Sequence, residues 1–173
     1  MSDLLARGEA VSIRRIDAED LERIAPHAYS VSIFEPLDTL ADLRAAYART
    51  SLWETDAGAV AIQANDSSRL VGTCQFYRSG PCIHGLEIGY IVHGEADRGR
   101  GFASGALALL SAYLFAHRRQ HLRHQLTIDV NNEASWRVAE RCGFAREGVL
   151  RRSGFPPQHG DCFVYAKVRE ADA

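Results

Sequence analysis

Asp97-Arg98-Gly99-Arg100-Gly101-Phe102-Ala103 is the stretch of this chain best suited to holding an anion. It lies between a β-prone run and a helical pattern, where small residues let backbone N–H groups turn toward one spot without side-chain obstruction. The positive end of the following helix adds to those amides, so a pyrophosphate fits there with Arg98 or Arg100 at its edge. The plain alternative is a tight strand-to-helix turn with solvated arginines. The loop has neither the G-x-x-x-x-G-K-[ST] of a nucleoside-triphosphate site nor the full G-x-G-x-x-G of a dinucleotide site, which argues against ATP and NAD.

The other reactive residue types make weaker claims. Cys74, Cys82, Cys142 and Cys162 include no CxxC pair and have no histidine at zinc-ligand spacing, so they read as core or strand thiols and no metal is expected. His84, His93 and His159 form no recognisable dyad with a nucleophile and read as loop or surface histidines. Trp53 and Trp136 read as core or groove walls.

The elements that must position the loop follow from periodicity. Val11 to Ile16 is a strand, and Asp17-Ala18-Glu19-Asp20 starts a helix running toward Ala28. A second helix begins near Thr39, with Asp42 completing a capping box. Ala59–Gln63 and Arg69–Tyr77 form a hairpin around Asn65-Asp66-Ser67-Ser68, ended by Ser79-Gly80-Pro81. Leu86–Val92 is the strand entering the loop. Ala103, Ala106, Leu107, Leu110 and Leu114 then mark the buried stripe of a helix. Arg118, Arg119 and Arg123 gather where they complement its dipole. Leu126, Ile128 and Val130 alternate in a strand, and a helix from Glu133 to Cys142 stops at Gly143, suited to a left-handed C′ position. Phe144–Arg151 and Cys162–Val168, separated by a Pro156-Pro157 turn, complete an order of β-α-α-β-β-β-α-β-α-β-β. This is a mixed α/β domain.

Three motifs carry a family resemblance. Arg98, Gly101 and Ala103 match R-x-x-G-x-A. Leu86-Glu87-Ile88-Gly89-Tyr90-Ile91 is similar to the strand before it, and Asn132-Glu133-Ala134-Ser135 with Ala139-Glu140-Arg141-Cys142-Gly143-Phe144 is similar to an N-x-x-S…E-x-x-G-F element. Together they resemble the GNAT superfamily of N-acetyltransferases. His159-Gly160-Asp161 is similar to the ending of its ribosomal-protein N-terminal acetyltransferase branch. The resemblance runs from about Arg69 to Val168 and fades toward the amino end. It implies one α/β domain over residues 1–173, a mixed central β-sheet flanked by helices, using acetyl-CoA as cosubstrate and no metal. The cofactor-binding residues it implies are Ile91, Val92, Arg98, Gly99, Arg100, Gly101, Phe102, Ala103 and Asn132. The backbone N–H of Ile91 or Val92 is the expected oxyanion donor.

Glu87 is the expected base, directly or through water, with an outward-facing or ion-paired carboxylate as the alternative. Ser135 is the expected proton or hydrogen-bond donor to the thiolate, with a plain first-turn role as the alternative and Tyr165 or a water as the other proton source. The acceptor implied is a primary amine, first a protein α-amine such as that of a ribosomal protein, second a small-molecule antibiotic or metabolite. A coenzyme A-binding module without turnover is the reading from another class. Two departures bear on substrate choice: Gly105 stands where relatives commonly carry an acidic or amide residue, which predicts a looser helix start, and the segment between the second helix and Ala59 is short for this branch.

Composition sets the outer limits. The chain of 173 residues has 46% hydrophobic and 24% charged residues, enough for one self-sufficient core. Its formal charge of −2 gives no global positive field for nucleic acid. Met1 to Glu9 has acidic residues and no long apolar stretch, and no later run is long enough for a bilayer, so a cytoplasmic protein with no membrane partner is expected. A homodimer is compatible with these features.

Overall fold

The computed structural model of this chain describes residues 3–27, 39–78, 85–154 and 160–170. Among them eight strands share one sheet: β1 (Leu4–Arg7), β2 (Val11–Arg15), β3 (Ala57–Ala64), β4 (Leu70–Tyr77), β5 (Gly85–Val92), β6 (Arg123–Asp129), β7 (Ala145–Leu150) and β8 (Cys162–Val168). Their spatial order is β1-β2-β3-β4-β5-β6-β8-β7. The helices are α1 (Leu21–Ile24), α2 (Leu40–Thr50), α3 (Phe102–His117) and α4 (Glu133–Arg141). The expected mixed sheet flanked by helices is what forms. No helix among the described residues is long and apolar enough to cross a membrane.

Seven of the strands were expected; β1 was not. Four residues beside a polar terminus show too little alternation to announce a strand, yet they pair antiparallel with β2 from Leu4↔Arg14 to Arg7↔Ser12. The expected helix from Asp17 toward Ala28 is broken instead into a 3-10 turn (Ala18–Asp20), the four-residue α1 and a second 3-10 turn (Ala25–His27). Asp20 explains the first break, since its carboxylate accepts two bonds from Arg14, at 2.6 and 2.8 Å, and one from the Asp17 N–H at 2.9 Å. Pro26, with no N–H to give, explains the second. By contrast α2 starts as expected, the Thr39 hydroxyl accepting from the Asp42 N–H at 3.1 Å. Ala28, the Ser79-Gly80-Pro81 and Pro156-Pro157 turns, Cys82, His84 and His159 lie outside the described residues.

The sheet separates two cores. On one face Ile13, Ile62, Phe76, Leu86, Ile88 and Leu126 pack against Phe102, Ala106, Leu107, Leu110 and Leu114 of α3. On the other, Ala61 and Leu70 pack with Ile16, Leu21, Ile24 and Leu43. The stripe on α3 is shifted from the expected one: Phe102 and Ser111 are buried, whereas Ala103 is only half-buried. Gly105 does not loosen this helix. Its N–H bonds the Gly101 carbonyl at 2.9 Å, and a Cβ there would meet Val11 Cγ2 at 2.9 Å, so the missing side chain lets α3 lie close on β2.

The basic cluster also differs from expectation. Arg118 donates to the Glu54 carbonyl at 2.6 Å and lies over the Phe76 and Trp53 rings at 4.6 and 5.0 Å. It is a packing residue rather than a dipole partner. Arg123 is already on β6, paired with Glu147 at 2.9 Å.

One seam interrupts the sheet. β5 pairs antiparallel with β4 from Glu87↔Tyr77 to Val92↔Gly72, but pairs parallel with β6 only at Gly85↔Arg123, Leu86↔His124 and Glu87↔Gln125. Past Glu87 the two central strands part, leaving one side of β5 without a strand neighbour.

Candidate active site

The parting of β5 from β6 frees backbone groups that a continuous sheet would consume. The His93 N–H bonds the Val71 carbonyl at 3.0 Å, toward β4. Alternation along a strand then turns the Ile91 N–H toward β4 as well and the Val92 N–H away from it, into the seam. Of the two expected oxyanion donors, Val92 is the one whose amide turns away from β4.

Beyond Val92 a short turn leads into the loop. Asp97 is buried and accepts from Arg69 at 2.8 and 2.7 Å, and hydrogen bonding from Arg69 holds its carboxyl below the usual carboxylate range. Arg100 is drawn into the same network, 3.4 Å from Asp97 and 3.2 Å from Asp66, with its guanidinium over the Phe102 ring. Its charge is thus spent on two carboxylates, and it does not line the cleft. Arg98 is more open, its nearest carboxylate being Glu95 at 3.9 Å. Phe102 is 4% exposed and packs in the core.

Gly99 and Gly101 take φ of 73° and 80°, a region that penalises side chains. A Cβ on Gly99 would meet nothing within 4 Å, and one on Gly101 only Ser104 Oγ at 4.0 Å, so both positions face open space. Gly101 is the N-cap of α3 and provides no side-chain cap. The first helical amides therefore lack intrahelical partners and point outward.

These features border a cleft of about 380 Å³. Its walls are Tyr90, Ile91 and Val92 of β5 and, across the seam, Asn132, Ser135, Arg137, Val138 and Arg141 of α4. Asn132 caps α4 by accepting from the Ser135 N–H at 3.1 Å. This leaves the Ser135 hydroxyl free of capping, and it sits 2.8 Å from the Tyr90 hydroxyl.

A second pocket of about 180 Å³ opens through the seam on the other side, lined by Tyr77, Glu87, Thr127 and Asp129 among others. Glu87 is 8% exposed and accepts from Gln125 Nε2 at 3.3 Å. It is neither outward-facing nor ion-paired among the described residues. Tyr90, Asn132 and Ser135 line both pockets, so the three residues form the wall where the two spaces meet.

Several candidates fall elsewhere. Tyr165 is fully buried and donates to Glu140 at 3.0 Å, which removes it as a proton source. His93 stacks on His27 with ring centroids 4.1 Å apart, and burial together with His27 pushes it down to about 4. It lines neither pocket. Cys74, Cys142 and Cys162 are free buried thiols whose pKa burial raises. Among the described residues no group of His, Cys, Asp or Glu is arranged to hold a metal ion. Sequence reasoning missed Tyr90, although alternation from the buried Leu86 and Ile88 puts it on the α3–α4 face. It also gave no role of their own to Asp97 or its partner Arg69, distant in sequence, or to Arg137 and Arg141 of the cleft.

Comparison with known proteins matches residues 11–145 of this chain to an acetyltransferase (GNAT) domain model. Among curated relatives, the ribosomal-protein-serine acetyltransferase of Escherichia coli (strain K12) is 33% identical over 100 residues, 57% of this chain and 55% of that protein. The chain spans 60% and 55% of the lengths of the two curated relatives it matches. Among solved structures, the ribosomal L7/L12 α-N-protein acetyltransferase RimL in complex with coenzyme A superposes with a TM-score of 0.79 at 20% identity, covering 98% of this chain and 100% of that one. The spermidine/spermine N-acetyltransferase SpeG of Vibrio cholerae gives 0.76 at 19% identity, covering 92% of each. At such identities the likeness is one of fold.

Proposed function

We propose, from the premise that this chain belongs to the GNAT acetyltransferase family, that it transfers an acetyl group from acetyl-CoA to a primary amine, and that this amine is a protein α-amine. The observation that carries the reading is the shared wall: Tyr90, Asn132 and Ser135 border both the large cleft and the smaller pocket across the seam. The cleft's own chemistry fits coenzyme A. An uncapped helix start and two open glycines suit a pyrophosphate, with Arg98 beside them and Arg137 and Arg141 along the opposite wall. When bound, acetyl-CoA supplies an activated carbonyl and a thiolate leaving group.

The chain's residues divide the remaining work. The Val92 N–H donates to the carbonyl oxygen as charge develops there. Glu87, across the seam, accepts the proton of the attacking amine directly or through one water. Ser135 donates to the sulfur, and Asn132, besides capping α4, contacts the pantetheine arm. An α-amine, with a pKa of about 8, is partly neutral at working pH, whereas a lysine amine near ~10.4 is almost wholly charged. A single carboxylate is sufficient base for the former.

The pocket's charge supports the same choice. Its described walls carry two carboxylates, Glu87 and Asp129, and Asp129 already accepts from the Asn131 N–H at 2.8 Å and side-chain amide at 3.1 Å. That is little negative charge for a polycation. The test is thiol release from acetyl-CoA with α-amino peptides, polyamines and aminoglycosides side by side, with the products weighed by mass spectrometry. The reading expects fastest release with peptides and one acetyl on their α-amine. Faster release with a polyamine or aminoglycoside would replace the acceptor, and coenzyme A binding without release on any amine would make the chain a binding module.

A further inference from the structure

The hydroxyls of Tyr90 and Ser135 are arranged more specifically than the proposed reaction alone requires. The Tyr90 hydroxyl lies 2.9 Å from the Ser135 carbonyl oxygen and 2.8 Å from Ser135 Oγ. A carbonyl only accepts, so when both bonds are made Tyr90 donates to the carbonyl and Ser135 donates to Tyr90. Ser135's single proton is then directed at a tyrosine in the protein at rest. To donate to a sulfur, that hydroxyl must turn, and its oxygen loses a partner just as negative charge builds nearby.

We infer that Tyr90 is a positioning residue that acts through Ser135, a two-hydroxyl relay in which Ser135 turns its O–H to the leaving sulfur while Tyr90 turns its own O–H from the Ser135 carbonyl to Ser135 Oγ. Both acceptors are already within hydrogen-bond distance of one phenol oxygen, so the switch needs two rotations about C–O bonds and no heavy-atom movement. The bookkeeping of the step is simple. The amine nitrogen forms a bond to the acetyl carbon, the carbon–sulfur bond breaks with its electron pair going to sulfur, and the amine's proton goes to Glu87 or water. No proton leaves Tyr90 or Ser135; the thiolate's charge is met by donation along the chain Tyr90 to Ser135 to sulfur. Burial raises the Tyr90 pKa, so it keeps its proton throughout the working range. The ring shares the α3–α4 face with Cys74, its register partner on β4.

This inference rests on the acetyltransferase reading, and its test reads binding as well as rate. Coenzyme A is titrated calorimetrically against its desulfo analogue as pH rises through the free thiol's pKa of about 8.5. A hydroxyl chain that favours thiolate lowers the bound thiol's pKa, so coenzyme A should gain on the analogue by ~10-fold as pH rises. Tyr90→Phe, which keeps the ring and its packing, should cut that gain to ~3-fold, and Ser135→Ala should remove it. The double variant should match Ser135→Ala alone in both this gain and kcat, because Tyr90 acts only through Ser135. Multiplying effects, or a gain unchanged in Tyr90→Phe with an unchanged melting temperature, would overturn the relay while leaving the acetyltransferase reading intact. No binding of either ligand by the unaltered protein would sink both.

Discussion

Glu87 and Ser135 stand on opposite sides of the same seam, and each makes a separable prediction. Glu87 borders the smaller pocket with one amide donor and no cation beside it among the described residues. Glu87→Gln keeps its size and removes the base, so kcat/KM should fall by ~10²–10⁴-fold near neutral pH. The deficit should shrink above pH ~8, where an α-amine is already neutral. Superimposable pH–rate profiles would make this carboxylate structural. Ser135→Ala should lower kcat by part of the same range, because a thiol of pKa near ~8.5 leaves tolerably well unaided. Coenzyme A affinity at low pH should hold, and calorimetry checks it. Since Asn132 performs the capping, the melting temperature should move little. A wild-type kcat with chemistry rate-limiting would remove Ser135 from the mechanism. Both residues lie within the motifs that carry the family resemblance. Tyr90, lying within one of those motifs, was passed over because its value depends on a hydroxyl 45 positions away.

At the scale of elements, the unit that matters is β5, the loop and the start of α3. Its existence was plain from a β-prone run, a glycine-rich turn and an apolar stripe. The anchoring was not, because Arg69 and Asp66 reach the loop from the β3–β4 hairpin region and a chain read in order does not show that approach. The same limit explains Arg100, whose type suggests phosphate binding but whose neighbours neutralise it. Gly101 is the sharpest test of this unit. Gly101→Val puts a β-branched residue at φ of 80° with its side chain in the cleft, so coenzyme A affinity should fall by at least ~10-fold while the far-ultraviolet spectrum is kept. Unchanged affinity in a folded variant would remove the loop as the phosphate site. The broken α1 region shows the converse case, a helical pattern overruled by Arg14, Asp20 and a proline.

Taken whole, the molecule is one sheet with a seam, and its buried histidines give it a sensitivity to acid. His124 is fully buried, with Ser111 Oγ 2.9 Å from Nδ1 and no partner on Nε2 among the described residues. Burial first, then His121, Arg169 and Lys167, push it down to about 3. Its folded pKa lies below the unfolded value of about 6.5, so the unfolded chain binds a proton first as pH falls. The contribution is whole above pH ~6.5 and drains away below it by up to ~1.4 kcal/mol per unit, with His93 adding to the same window until about 4. Melting temperature should drop steadily from pH 7 to 4, less steeply in His124→Gln. Equal slopes would contradict this.

The seam itself was invisible in the sequence, since β5 and β6 read as ordinary strands and their parting after Glu87 is a property of the assembled sheet. It is also what the central claim depends on, that cleft and pocket meet at Tyr90, Asn132 and Ser135. The direct measurement is the dissociation constant of a conjugate joining the coenzyme A sulfur, through an acetyl linker, to whichever amine turns over fastest. If the two spaces meet at that wall, the conjugate should bind at least ~10-fold more tightly than coenzyme A alone. Affinity no better than that of coenzyme A, for an amine that turns over, would contradict the account.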